Sequence, residues 1–400
     1  MPDPRLSRRH VFGYAGAAGL GGAAGVVAGR ATAGSDDDAA AQRVGGRTYP
    51  AHGDHQSGIL TPTPAVGELV AFDLLPSVDR TALGRLMRVW SGDVAALAAG
   101  RPVPGDAAPD LAQAGVSLSI LIGLGPRVFD LPGLAAARPT GFQEIPPMAH
   151  DRLEDRWSGG DLLAWVSADD ATSVAHAVRR LTTDAAPFAR PRWTQRGSWR
   201  PVDADGNPVT GRNLFGQLDG SANPSGETLT ATVFSTDGWL AGGTQLVVRR
   251  IEMNLATWDE LTRDRQERVI GRALDTGAPL TGTAEHDDVD LTAAVDGVPV
   301  IAADAHARVA HPSHNSGRRM LRRGLNYTHE EWIDGSWTSS AGLIFTAFQA
   351  SIADQFIPVQ RMLDQGDALN EWTTAIGSAV FVIPPGFAEG AWLAQGLLGD

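Results

Sequence analysis

The chain has 400 residues, of which 43% are hydrophobic and 20% charged, proportions that exclude disorder of the whole chain and leave room for two domains. Its formal net charge is -13 and it contains no lysine, a balance that argues against a nucleic-acid-binding surface. It also contains no cysteine, which excludes disulfides, thiolate nucleophiles, Cys-ligated zinc and iron–sulfur clusters. Any metal ligand must therefore come from histidine, a carboxylate or the backbone.

Residues 1–33 have the pattern of an export signal peptide. A basic start that includes Arg8 and Arg9 precedes a weakly apolar run, and small residues follow where such peptides are cleaved. The arginine pair is typical of the twin-arginine export machinery, although Phe12 lies one place later than usual, and an ordinary signal or a basic tail is the alternative. The run is too short and glycine-rich for a stable membrane span, so the sequence predicts a secreted or periplasmic protein.

Two α+β domains are predicted after a linker at 34–50, whose small residues and aspartates cannot bury a core. Turn residues at 203–211 separate an N-terminal domain, 51–205, from a C-terminal domain, 206–400. The order of elements favours antiparallel sheets with packed helices over a parallel doubly wound sheet. Apolar periodicity predicts strands at 69–74, 116–121, 162–166, 246–254, 305–309, 342–349 and 380–383, and helices at 80–98, 171–181, 258–270 and 352–364.

Three segments in the C-terminal half contain candidate catalytic or ligand-binding residues. Asp219 stands in a glycine-rich loop, where it either faces a ligand or forms an Asx-type turn. His306 lies on a predicted strand and is either a metal ligand or an ordinary core or surface histidine. Arg322 and Arg323 either clamp an anion or form surface ion pairs.

Together these residues supply a metal ligand, an acid–base group and a fixed cation, which is the minimum set for cleaving a peroxide at a haem iron. A zinc hydrolase is a weaker alternative, because the sequence has no HExxH motif and its histidines are scattered. A non-enzymatic haem-binding protein needs His306 but has no use for both Asp219 and Arg322.

The chain resembles the dye-decolorizing peroxidase family, in particular its exported twin-arginine members, from about residue 50 to residue 388. The loop around Asp219 fits the family's short GxxDG pattern, and later motifs follow it in the family's order. Departures from the pattern are Leu325, where an aromatic residue is common, and the alanines on both sides of His306. The matching segments are 55–62, 158–162, 216–224, 275–280, 306–308, 321–324, 342–349 and 377–386.

The resemblance implies two ferredoxin-like domains, with one haem b per chain in the C-terminal domain. It makes His306 the proximal ligand of the haem iron and places Asp219 and Arg322 on the distal side, where peroxide binds. Glu371 is implied as the carboxylate that hydrogen-bonds the ligand histidine, with Asp304 as the second choice.

Four further residues take roles from the resemblance: Leu343 and Phe345 line the distal side, and Arg308 and Asn223 meet the haem propionates. The implied activity is reduction of hydrogen peroxide with oxidation of dyes, phenols or lignin-like donors that are too bulky to reach a buried haem. The alternative is an exported haem- or iron-handling protein of the deferrochelatase kind. A homo-oligomer is left open.

Overall fold

The computed structural model describes residues 46–205, 207–333 and 335–399. The predicted signal peptide at 1–33, and the linker up to residue 45, lie outside the described residues. Within the described part of the chain, no helix is both long and apolar enough to cross a membrane.

The strands are β1 Val66–Leu74, β2 Ser119–Leu124, β3 Leu162–Ala168, β4 Ala189–Ser198, β5 Thr244–Met253, β6 Ala294–Val295, β7 Val298–Pro299, β8 Leu321–Ile333, β9 Ser336–Gln349 and β10 Thr373–Ile383. Eight of them form one antiparallel sheet that closes on itself in the order β1-β3-β2-β10-β5-β9-β8-β4, and β6 and β7 form a small separate hairpin. Each half of the chain contributes four strands to the closed sheet. When the four are numbered along the chain, they lie side by side in the order fourth, first, third, second in both halves.

The helices lie between these strands, and the two longest begin at aspartates that cap them. Asp79 accepts a hydrogen bond from the Ala82 N–H at 2.7 Å, and Asp170 accepts from two N–H groups of the helix that follows it. The helices are α1 Arg80–Ala98, α2 Ala171–Ala185, α3 Gly226–Val233, α4 Leu255–Asp259, α5 Arg263–Ile270, α6 His306–Val309, α7 Ile357–Gly366 and α8 Gln395–Leu398.

The core has two parts because neighbouring residues of a strand point to opposite faces of the sheet. Val70 and Phe72 of β1 pack in the cluster that contains the apolar sides of α1 and α2. Leu69 and Ala71 pack in the cluster on the opposite face. Strands buried on both faces appear in the sequence as continuous apolar runs, which is why β3 was predicted at 162–166 and β2 was predicted, three residues too early, at 116–121.

The C-terminal predictions need two corrections. Residues 305–309 are not a strand, because His306–Val309 is the short helix α6, and alanine-rich segments favour helix over strand. The predicted helix at 258–270 is two helices, α4 and α5. Strands β4 and β8 were not predicted, because charged and polar residues interrupt the apolar alternation in their sequences.

A buried carboxyl group lies between α1 and α2. Asp93 is 4% exposed, and burial together with the Asp184 charge raises its pKa to about 7, although Arg180 opposes the shift. Arg180 itself pairs with Asp184 at 3.0 Å. The folded protein therefore binds a proton on Asp93 that the unfolded chain releases at a lower pH.

Asp93→Asn should stabilise the protein at alkaline pH. A carboxyl whose pKa is raised on folding makes the native state less stable as the pH rises from the ordinary pKa, near 3.8, to the native-state pKa of about 7. Asparagine does not ionise, so the variant should melt on the order of 2–4 °C higher than wild type at pH 8 and near the wild-type temperature at pH 4. Thermal melts at both pH values test this, and equal melting temperatures at pH 8 would contradict it.

Candidate functional site

The pairing of β8 with β9 places Arg322 on the same face as two of the predicted lining residues. Arg322 is opposite Ala347, Gly324 is opposite Phe345, and Asn326 is opposite Leu343. Since paired residues point to the same face and alternate residues share it, Arg322, Leu343 and Phe345 lie on one side of the hairpin. There is room for them partly because Gly324 has no side chain: a Cβ at this position would lie 2.9 Å from the Leu343 side chain.

Arg323 points to the opposite face and is buried. Its guanidinium donates to the carbonyl oxygens of Ile59 and Thr61, and burial lowers its pKa to about 10. The two neighbouring arginines therefore differ in surroundings: Arg323 holds the segment at 55–62 against β8, whereas Arg322 is partly exposed and faces Asp219.

Asp219 contacts Arg322, with 3.3 Å between Asp219 Oδ1 and Arg322 Nη1. The Asx-type turn in this loop is made by Asn213, whose side-chain oxygen accepts from the Phe215 and Gln217 N–H groups. The Asp219 carboxylate is thus not needed to form the turn. The structure brings the two predicted distal residues together from separate parts of the chain.

Asn223, predicted to meet the haem propionates, bonds the backbone of β8 in the structure, and its contact with a propionate stays a prediction. Its side-chain oxygen accepts from the Arg322 N–H at 3.0 Å, and its side-chain nitrogen donates to the Arg322 carbonyl at 2.9 Å. Both ends of the amide are used on the backbone of β8. Asn223 therefore fixes the loop that carries Asp219 to the strand that carries Arg322.

His306 is the first residue of α6, and its partner is Asp367 rather than Glu371. Its Nδ1 lies 2.5 Å from Asp367 Oδ2. Burial disfavours the charged imidazole, but the Asp367 carboxylate outweighs this effect and raises the pKa of His306. A proton held on Nδ1 by the carboxylate leaves the lone pair on Nε2, the arrangement that an imidazole metal ligand requires.

The two carboxylates predicted for this role lie elsewhere. Glu371 is exposed, and Asp304 pairs with Arg268 at 3.3 Å. Asp367 ends α7 and also accepts from the Leu369 N–H, which fixes its orientation toward the imidazole. The sequence has acidic residues both before and after His306, and only the fold brings Asp367 to the imidazole.

Arg308 was also predicted to meet the propionates, which stays a prediction, and in the structure its guanidinium holds a loop. Its Nε and Nη2 donate to the Ile301 carbonyl, and Nη2 also donates to the Leu291 carbonyl at 2.8 Å. These bonds attach α6, and with it His306, to the preceding loop. The role that the structure supports for Arg308 is therefore to position the histidine.

Asp219 and Arg322 lie close enough to His306 to affect it electrostatically. The Arg322 charge lowers the pKa of His306 and the Asp219 charge raises it, both less strongly than Asp367. Next to Asp219, Gln217 Nε2 and Ser221 Oγ are buried polar atoms with no hydrogen-bond partner among the described residues. Buried polar atoms without partners are expected where a site accepts a ligand.

Positive side chains surround this part of the molecule. Burial and the neighbouring Arg322 charge lower the pKa of Arg272, and burial together with the charges of His314, Arg319 and Arg272 lowers the pKa of His311. Such a concentration of positive charge favours an anionic ligand. The sequence analysis missed this group, because its members are separated in the chain and carry no motif.

Two family models match the chain. The model described as Dyp-type peroxidase, N-terminal, matches residues 56–199, and the model described as Dyp-type peroxidase, C-terminal, matches residues 210–388.

Relatives and solved structures agree with these matches. The chain is 39% identical to the dye-decolorizing peroxidase of Thermobifida fusca, over 90% of this chain and 86% of that protein, and 32% identical to the deferrochelatase of Escherichia coli K12, over 85% and 84%. It is 45% identical to the crystal structure of a DyP-type peroxidase from Cellulomonas bogoriensis, with a TM-score of 0.84 over 89% of this chain and 99% of that one. Ferric DtpA from Streptomyces lividans is 39% identical, with a TM-score of 0.84 over 89% and 98%.

Proposed function

Because the chain belongs to the Dyp-type peroxidase family and is a haem peroxidase, we propose that it reduces hydrogen peroxide at the site formed by His306, Asp219 and Arg322. The electrons come from bulky aromatic donors, such as dyes and phenolic or lignin-like compounds. The observation that carries this proposal is the 3.3 Å contact between Asp219 and Arg322 on the side of the hairpin that Leu343 and Phe345 share.

The residues present fit a haem. His306 offers an imidazole nitrogen whose ring is oriented by Asp367, and the positive charge of Arg272 and Arg319 favours the two carboxylates that haem carries. A carboxylate on the far ring nitrogen increases the basicity of the ligand. When bound, haem supplies the iron at which peroxide is reduced.

Asp219 and Arg322 have separate roles in the reaction. Asp219 takes a proton from one oxygen of hydrogen peroxide and returns it to the other, which leaves as water. Arg322 stabilises the negative charge that develops on the leaving oxygen as the O–O bond breaks. Asn223 holds the two side chains together by binding the Arg322 backbone, and Leu343 and Phe345 restrict the access of water.

The fold and the cellular route complete the proposal. Each half of the closed sheet has the fourth-first-third-second strand order, which supports ferredoxin-like domains at 51–205 and 206–400, with haem in the second. The basic and apolar pattern of residues 1–33 supports export by the twin-arginine machinery to a secreted or periplasmic location.

The deferrochelatase relatives make haem or iron handling the alternative function. Retention of haem requires His306 and nearby basic side chains, but it requires no acid–base group. The Asp219–Arg322 pair therefore favours peroxide chemistry.

Arg322→Leu should slow the reaction with peroxide while haem remains bound. Removing one preorganised donor of this kind costs about 10²–10³-fold in rate. Arg323→Leu is the matched control: it removes a buried cation from the opposite face, so it should lower thermal stability and leave the peroxide reaction of the folded fraction near normal. Stopped-flow absorbance of the Soret band after mixing with peroxide measures both variants.

A wild-type Soret band that does not change on addition of peroxide would overturn the proposed function. A reversed outcome, with slow chemistry in Arg323→Leu and normal chemistry in Arg322→Leu, would assign the distal cation to Arg323.

A further inference from the structure

The outer end of the β8–β9 hairpin carries two exposed tryptophans that the peroxide site does not use. Trp332 and Trp337 are paired in register, with ring centroids 5.3 Å apart and planes at 74°. They are 58% and 71% exposed, and no other aromatic residue is so exposed in the part of the chain that the structure describes. Tryptophan is normally buried over most of its large apolar surface, so these two rings are available to a ligand.

A carboxylate lies on the same face as the rings. Glu330 is two residues before Trp332 on β8, and it is opposite Ser339, two residues after Trp337 on β9. It is exposed, and its carboxylate forms no ion pair or hydrogen bond with any residue that the structure describes. The adjacent Glu331 points to the other face and pairs with Arg156 at 2.7 Å.

Two indole faces beside an unpaired carboxylate have the composition of a cation site. The negative ring faces attract a cation within about 6 Å, tryptophan more strongly than other aromatic residues, and the attraction is largest for weakly hydrated organic cations. A carboxylate adds charge complementarity for a cation and repels sulfonated aromatic anions. The net charge of -13 favours the same choice at longer range.

We propose that Trp332, Trp337 and Glu330 form a surface binding site for planar organic cations with delocalised charge, such as thiazine dyes. The site lies apart from Asp219 and Arg322, because Trp332 is near the opposite end of β8 from Arg322. Its consequence for turnover, a preference for cationic over sulfonated aromatic donors, rests on the proposed peroxidase function. The binding itself does not.

The test measures binding of methylene blue to the haem-containing protein without peroxide, by fluorescence polarisation or tryptophan quenching. The double variant Trp332→Ser/Trp337→Ser should bind about tenfold more weakly than wild type, and Glu330→Gln should weaken binding and reduce its dependence on salt. The matched control is Val295→Ser/Val298→Ser, which changes a cross-strand pair, 65% and 67% exposed, in the β6–β7 hairpin. It should bind as wild type does.

Three results would overturn the proposal: equal affinity in the tryptophan variant and wild type, equal affinity of wild type for a sulfonated anthraquinone, or a wild-type dimer that only the tryptophan variant dissociates in sedimentation. The last result would assign this surface to a second copy of the chain. Glu330→Gln keeps both rings, so the test still decides the matter if the double variant fails to fold. A Soret band that does not respond to peroxide would overturn the peroxidase proposal and leave the binding result standing.

Discussion

His306→Ala should purify with at least about tenfold less haem than wild type, and it should show no Soret response to peroxide. The imidazole is the proposed axial ligand, and disturbing even the partner of such a ligand typically costs 10–100-fold in affinity. The Asp367 carboxylate would also lose the donor that it holds at 2.5 Å. Haem content per chain and the absorbance spectrum measure the effect.

Addition of imidazole separates loss of the ligand from loss of the fold. The alanine variant leaves a gap next to Asp367 into which free imidazole can bind, so millimolar imidazole should restore a wild-type-like spectrum. His52→Ala is the matched control, because His52 is exposed and its ring packs against Phe387. Full haem content in His306→Ala, or the same loss in His52→Ala, would remove His306 from the proposed role.

The elements that could be predicted are those whose pattern is local. The helix at 80–98 has the same bounds in the structure, since its apolar spacing and the aspartate before it are both visible in the sequence. The strand at 305–309 failed because five residues with alternating character fit a strand and a helical turn equally well. In the structure, hydrogen bonds from Arg308 to the preceding loop stabilise the helix.

The site was predictable in its chemistry and less so in its contacts. The residue types and their order along the chain indicated His306, Asp219 and Arg322. Whether a side chain faces a ligand or the backbone is decided by nearby carbonyl and amide groups, which compete for the same donors and acceptors. The side chains of Asn223 and Arg308 bond such backbone groups, contacts that the sequence pattern did not predict.

The same limit explains the carboxylate beside His306. The sequence around Asp304, Asp367 and Glu371 does not show which of these carboxylates contacts His306. Only Asp367 is held at the end of α7 with one oxygen on a backbone N–H and the other on the imidazole. Distances between segments that are separated by about sixty residues follow from how α6 packs against α7, and no local pattern encodes them.

Asp219→Asn should bind haem normally and react with peroxide about 10²–10⁴-fold more slowly, the usual contribution of a positioned acid–base group. Asparagine has nearly the same shape and can still contact Arg322 and Asn213, so the loop should keep its conformation. It cannot accept and return a proton. The variant therefore removes proton transfer and leaves the distal cation in place.

Stopped-flow mixing with peroxide at several pH values measures this effect, with Asp304→Asn as the matched control on a carboxylate that pairs with Arg268. The control should react at the wild-type rate. If Asp219→Asn also reacts at that rate across the whole range, the proton must move through ordered water beside Arg322, and Asp219 then serves only to orient the guanidinium. In that case Arg322→Leu would still be slow, because the charge on the leaving oxygen must be stabilised whichever group carries the proton.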